Sequence, residues 1–183
     1  MGQIKDTISV YERLREKRYR IKVENGFEFI LEFDKKYYHH LAGYHYLTDV
    51  LEIADPVQGK ERFYRRLKNG KIAEDKILHS ELFESIAERI ETFAYIEEIL
   101  SEAECKIIVE FDRNKADSEI EAKFFLYKRN GNPLAKEPVV YYMLFIGCDP
   151  KAGTYYPATY IVEHSKKYVA DQVMLECKIE WIA

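Results

Sequence analysis

Residues 33–49 read FDKKYYHHLAGYHYLTD and carry three of the five histidines and four of the fifteen tyrosines. Histidine is the side chain whose ordinary pKa falls between pH 5 and 8, so this stretch is suited to proton transfer. Clustered histidines can also hold a metal. His39, His40 and His45 offer no i, i+4 pair that would set two ligands on one helical face, and neighbours such as His39 and His40 point about 100° apart on a helix. No carboxylate spacing completes a ligand set, so neither a metal nor another cofactor is expected. The chain has no glycine-rich phosphate loop, no G-x-S-x-G and no H-E-x-x-H, which removes the enzyme classes built on those motifs.

Metal-free cleavage of RNA is a chemistry these residue types can supply. It needs a base for the 2′-hydroxyl proton, an acid for the leaving oxygen and fixed cations around the crowded phosphorus. His40 is the candidate proton carrier. The cations come from residues 60–71, which hold six basic residues against one acid, a local charge of +5 in a chain of net −4. Lys60, Arg62, Arg65 and Lys68 are the candidate phosphate contacts, and Arg66 is placed with the catalytic group. Thr159 and Tyr160 on a late strand complete the set, Thr159 assisting at the phosphate and Tyr160 binding nucleic acid. The plainer reading stands beside this one. A single helical histidine usually packs or faces water, and a run of charges is usually a solvated helix face.

These residues need elements to position them. Residues 6–20 have the spacing of a helix, and 27–34 alternate Phe27, Phe29, Leu31 and Phe33 with polar or mixed neighbours, a half-buried strand. The period then changes to three and four through Tyr37, Tyr38, Leu41, Tyr44 and His45. Gly43 interrupts that helix, and Leu47–Ala54 starts another before Pro56. Residues 58–68 form a short basic helix closed by a turn at Asn69-Gly70. Ser80 caps a long helix running to about Leu100, with Leu82, Phe83, Ile86, Ile90, Phe93, Ile96 and Leu100 as its buried stripe. From Cys105 the pattern is β. Strands are expected around 105–111, 120–126, 139–146, 155–163 and 173–181, with Pro157 at an edge or bulge. Short connections between them predict an antiparallel sheet. The fold class is therefore α+β, an N-terminal strand and helical block followed by a mainly antiparallel five- to six-stranded sheet. The whole of 1–183 is expected to form one domain, with a helical stretch at 1–24.

The order Phe27-x-Phe29, Phe33, Tyr38-His-His40-Leu41-Ala-Gly43 and Leu47-Thr-Asp49 resembles a family of phage and mobile-element domains grouped with the Barnase–EndoU–colicin–RelE (BECR) ribonuclease fold. Weaker points of likeness are Phe63-Tyr64, Ser80 and Arg89. The late segments Tyr156-Pro157-x-Thr159 and Lys167-Tyr168-Val-x-x-Gln172 resemble the family's ending, so the likeness runs over about 27–180. The resemblance implies a metal-independent endoribonuclease of toxin or effector type, with His40 as the motif histidine. RNA is its expected substrate, and an immunity or antitoxin protein is its expected partner.

Three scattered cysteines without a C-x-x-C pair, and an N-terminus without an apolar leader, lead to the expectation of reduced thiols and a cytoplasmic protein. The longest apolar run, Val139–Ile146, is far short of the ~20 residues that cross a bilayer, so no membrane partner is expected. Two further functional readings remain open on the residues alone. One is a non-catalytic module of the same fold that binds nucleic acid or protein. The other is a small-ligand domain lined by Tyr37, Tyr44 and Tyr142.

Overall fold

The computed structural model describes residues 3–182 and divides the chain into two compact units, Met1–Glu16 with Phe33–Ala94, and Lys17–Glu32 with Tyr95–Ala183. The first is helical. Its opening helix α1 (Gln3–Arg15) buries Ile4, Thr7, Ile8, Val10, Tyr11 and Leu14, the three-to-four spacing of a single face. Helix α2 (Lys35–Leu41) begins at Asp34, whose side chain accepts the Lys36 backbone N–H at 3.0 Å. A 3-10 turn (Tyr44–Tyr46) and the short helix α3 (Leu51–Ala54) come next, then α4 (Lys60–Lys68), α5 (Glu74–Leu78) and α6 (Glu84–Glu91).

Aromatic rings fill the middle of this unit. Tyr11, Tyr38 and Tyr64 lie with centroids 5.0 to 5.6 Å apart, and Phe93 closes on Tyr38 at 6.0 Å. Their hydroxyls are satisfied, as burial requires. Thr7 donates to the Ile4 carbonyl at 2.8 Å, leaving its oxygen to accept from Tyr38 at 2.7 Å, and Tyr44 lies 3.1 Å from the Tyr38 hydroxyl. Tyr11 donates to the Asp34 carbonyl at 2.6 Å, which ties α1 to the start of α2. Tyr37 apart, the tyrosines of the opening helical stretch are therefore core or site residues, with Tyr44 wholly buried in this chain of hydroxyls.

The second unit is a closed seven-stranded barrel with the order β1-β2-β6-β5-β4-β3-β7. Its strands are β1 (Arg18–Val23), β2 (Glu28–Leu31), β3 (Ala103–Glu110), β4 (Phe124–Asn130), β5 (Val140–Asp149), β6 (Thr154–Glu163) and β7 (Val173–Ile182). Neighbours are antiparallel except β2 and β6, which meet in parallel at Leu31 and Tyr155. Strand β5 is apolar on both faces because both are covered. One of its faces joins Val109, Phe111, Ala116 and Phe125 in a cluster of Tyr141, Met143 and Phe145. The register of β5 on β6 shifts between Phe145 and Ile146, where Pro157 sits, so the expected bulge is present. Helix α7 (Tyr95–Ile99) belongs to this unit, its end capped by Lys106, which donates to the Glu98 and Ile99 carbonyls at 2.7 Å.

The α+β class holds, while the open antiparallel sheet of five or six strands is corrected to a closed, mixed barrel of seven. The added strand is β1. Its Tyr19, Ile21 and Val23 are buried, and they alternate with Arg18, Arg20 and Lys22. In sequence that alternation is hidden by the basic run, which continues the helix pattern of α1. The long helix expected from Ser80 to Leu100 is also corrected to α6 and α7. Ser80 donates to Asp49 at 2.7 Å and accepts the Leu82 N–H at 3.2 Å, so it caps a turn ahead of α6. Thr92 ends α6, its hydroxyl donating to the Glu88 carbonyl at 2.7 Å. Helix α5 occupies the interval between Gly70 and Ser80, to which the apolar spacing assigned no element.

The hydroxyl chain carries a measurable share of the helical unit's stability. Tyr38→Phe removes its middle member, leaving the Thr7 hydroxyl its bond to the Ile4 carbonyl and depriving Tyr44 of its Tyr38 partner, an expected loss of ~1–3 kcal/mol. Urea unfolding followed by circular dichroism checks this, and an unchanged midpoint would show that the chain of hydroxyls adds nothing.

Candidate functional site

The three histidines gather around the break after α2. In an unbroken helix His40 and His45 would stand about 140° apart and could not touch. Instead Ala42 ends the helix, and Gly43 turns left-handed at φ 85°. That reversal lays the His45 ring on His40, with centroids 3.9 Å apart and planes within 7°. Glycine is required twice over. Its backbone conformation disfavours any side chain, and a Cβ there would meet the Arg89 NH1 atom and the Ile86 Cγ2 atom at 2.9 Å.

The histidines are not equivalent. His39 is fully buried, its Nε2 donating to the Ile53 carbonyl at 2.6 Å and its Nδ1 buried without a partner. Burial, opposed by that hydrogen bond and reinforced by Lys60, lowers its pKa. His39 is a packing residue against Phe63, 5.1 Å away in edge contact. His40 and His45 are half-buried. Burial first, then Lys60, Arg89 and His39, push His40 down to about 4. Burial, His40 and Arg89 push His45 down to about 3. Both rings are therefore neutral at pH 7. Burial is the leading cause for both, and the charges acting on them are positive. Among the described residues no three His, Cys, Asp or Glu side chains are grouped to hold a metal.

Two cations bear on this pair, and both are explained by helix geometry. On α4, Lys60 stands exposed at the helix start, at spacings of three, four and seven from the buried Phe63, Tyr64 and Leu67, and its charge helps lower the pKa of His39, His40 and His45. On α6, Arg89 falls on the stripe of Ile86 and Ile90 and is itself buried. Its guanidinium carbon is 5.2 Å from the centre of the Tyr46 ring.

The other basic residues of α4 point elsewhere. Arg65 pairs with Glu61, and Lys68 with Glu12. Glu12 also accepts from Tyr64 and from Arg15, and these hydrogen bonds hold its carboxyl at about 2 against the upward push of burial. Arg62 is exposed. Arg66 borders a small hollow of about 150 Å³ with Glu52, Val57 and Phe63 and helps lower the Glu52 carboxyl, after Lys76. Of the six basic residues of this stretch, Lys60 is the one whose charge acts on the histidines.

Thr159 and Tyr160 belong to the barrel unit, on β6. Thr159 is opposite Phe145 and buried, and Tyr160 is opposite Leu144 with no exposed surface, which takes its hydroxyl out of reach of a phosphate. Among the cysteines, Cys177 is buried, whereas Cys105 is exposed and outside the core; all three are free.

Sequence reasoning passed over His45, Tyr46 and, in its functional role, Arg89. Signals for two of them were present. A charged residue on an apolar stripe, as at Arg89, marks a buried cation. A glycine midway between two histidines marks a reversal that can bring them together.

The chain belongs to a nuclease-like family. The matching family model is described as phage-Barnase-EndoU-ColicinE5/D-RelE like nuclease4, and the match spans residues 3–173. No curated protein and no solved structure matches the chain. No helix among the described residues is long and apolar enough to cross a membrane.

Gly43→Ala tests the turn that builds this site. Left-handed strain alone is expected to cost ~1–2 kcal/mol, with the displacement of Ile86 added to it. Thermal unfolding should shift downward, and the His40 and His45 proton resonances should lose their mutual ring-current shifts. Unaltered resonances would show that the stack does not depend on the glycine.

Proposed function

We propose that this protein is an endoribonuclease in which His40 takes the proton from an RNA 2′-hydroxyl. The observation that carries the reading is the stacked, neutral His40–His45 pair under the positive charge of Lys60 and Arg89. A base must be unprotonated at working pH, and burial beside two cations keeps His40 so. His45 holds the ring flat and fixes its orientation. Lys60 is exposed and supplies the phosphate contact, while Arg89, buried beneath, supplies field.

The step balances without a further reactant. The 2′-oxygen loses its proton to His40 and bonds to phosphorus, the bond from phosphorus to the 5′-oxygen breaks, and that oxygen takes a proton from water at the half-exposed pair. The products are a 2′,3′-cyclic phosphate and a 5′-hydroxyl, and none of these roles calls on a metal. A bound phosphodiester also neutralises Lys60 and Arg89 locally, so His40 becomes a stronger base when substrate is present. The family description, a phage-Barnase-EndoU-ColicinE5/D-RelE like nuclease, supports extending the reading to a toxin or effector whose site a partner protein would block.

His40→Ala is expected to reduce cleavage of single- and double-stranded RNAs by ~10²–10⁴-fold, with the activity of the intact protein retained in EDTA. The acid limb of kcat/KM, which reports the free protein, should lie near the lowered value of about 4, and that of kcat should lie higher. RNA left whole by the intact protein, with EDTA and with added divalent ions alike, would leave the chain as a binding module.

A further inference from the structure

Tyr46 follows His45 and ends a column of rings. His40 and His45 stack at 3.9 Å, and the Tyr46 centroid lies 4.0 Å from that of His45 with the planes 39° apart. The 3-10 turn Tyr44–Tyr46 distributes its residues sharply, with Tyr44 in the core, His45 half-buried and Tyr46 outside. Tyr46 keeps 47% of its surface in water although two groups hold it, the His45 ring and the Arg89 guanidinium. An exposed tyrosine on a mobile side chain loses rotamer freedom when something binds to it. Here much of that loss is already met by packing, and the cation behind the ring adds an attraction for an electron-rich partner.

We propose that Tyr46 is a platform on which one unpaired nucleobase stacks, next to the phosphate held at Lys60. The inference rests on the placement of RNA at the histidine pair and adds the class of substrate, which is single-stranded. A base inside a duplex has both faces covered by its neighbours and offers none to Tyr46, so a paired strand must first be opened there. Stacking on an aromatic ring tolerates every base, because each has a π face. The platform therefore selects for strand state and gives little choice of base. Catalysis does not need the ring: Tyr46 touches no group that gains or loses a proton in the proposed step other than through the His45 stack.

The test is binding, read by fluorescence anisotropy so that it does not depend on cleavage. The probes are a fluorescein-labelled unpaired oligonucleotide with hydrogen at every 2′ position, and the same sequence closed into a hairpin duplex. The intact protein should bind the unpaired strand more tightly than the hairpin. Tyr46→Ala should weaken binding of the unpaired strand roughly ten-fold and leave the hairpin little changed, while Tyr46→Trp should bind as well as the intact protein or better. Equal binding of both probes by the intact protein, no binding of either, or an unpaired strand bound equally by Tyr46→Ala would overturn the platform. RNA cleavage by the same proteins separates the two claims. If Tyr46-dependent binding is found and no RNA is cut, the catalytic reading fails and the platform stands. If Tyr46→Ala cuts single-stranded RNA with an unchanged KM, the platform fails and the catalytic reading stands.

Discussion

A single left-handed turn at Gly43 governs the helical unit's chemistry. It comes two residues after Leu41, whose side chain is fully buried, so the helix before it is anchored and cannot rotate to relieve the turn. It also sits against Arg89 and Ile86 with no room for a Cβ, so the reversal is locked from outside as well as by its own φ. The turn then dictates where the next three side chains go. His45 returns onto His40, Tyr44 drops into the hydroxyl chain with Tyr38, and Tyr46 is left facing water.

The electrostatics arise from the same packing. A buried cation is costly unless something compensates it; Arg89 interrupts the apolar stripe of α6, while Lys60 stands exposed at the start of α4. Their charge falls on two imidazoles that are partly withdrawn from water, and both rings respond by staying neutral. Elsewhere the unit compensates its charges internally. Glu12 gathers Lys68, Arg15 and the Tyr64 hydroxyl, and Asp49 takes the Ser80 hydroxyl and the Glu81 N–H. The histidine pair, on which the charges of Lys60 and Arg89 act, is where the proposed reading places a phosphate.

Much of the barrel was legible in the sequence because period-two alternation marks β2, β3 and β7, an apolar run marks β5, and Pro157 marked its own bulge; the strand expected at 120–126 is corrected to Phe124–Asn130, whose first three residues are all buried. Strand β1 was not legible, since Arg18, Arg20 and Lys22 make it look like the end of a basic helix. Closure of the barrel was out of reach for a related reason: it depends on β1 pairing with β7, a partner more than 150 residues away. In the helical unit, apolar spacing located most of the elements but missed α5 and could not tell that Thr92 stops α6. For the site, the motif histidine and Gly43 were visible, and Lys60 was among the cations named. Local charge density did not distinguish Lys60 from Arg62, Arg65 and Lys68, because direction around the helix, and the presence of Glu61 and Glu12, decide which cation faces the rings. Thr159 and Tyr160 look available as residues on a strand, but both are buried.

Everything proposed for the site requires that His40 and His45 form an anion-seeking pair. Histidine NMR reads that property at the rings themselves, by following both through a pH titration with and without inorganic phosphate. Both should titrate far below the ordinary value of about 6.5, and phosphate should raise both together. Two rings titrating near 6.5, independently of each other and indifferent to phosphate, would contradict it.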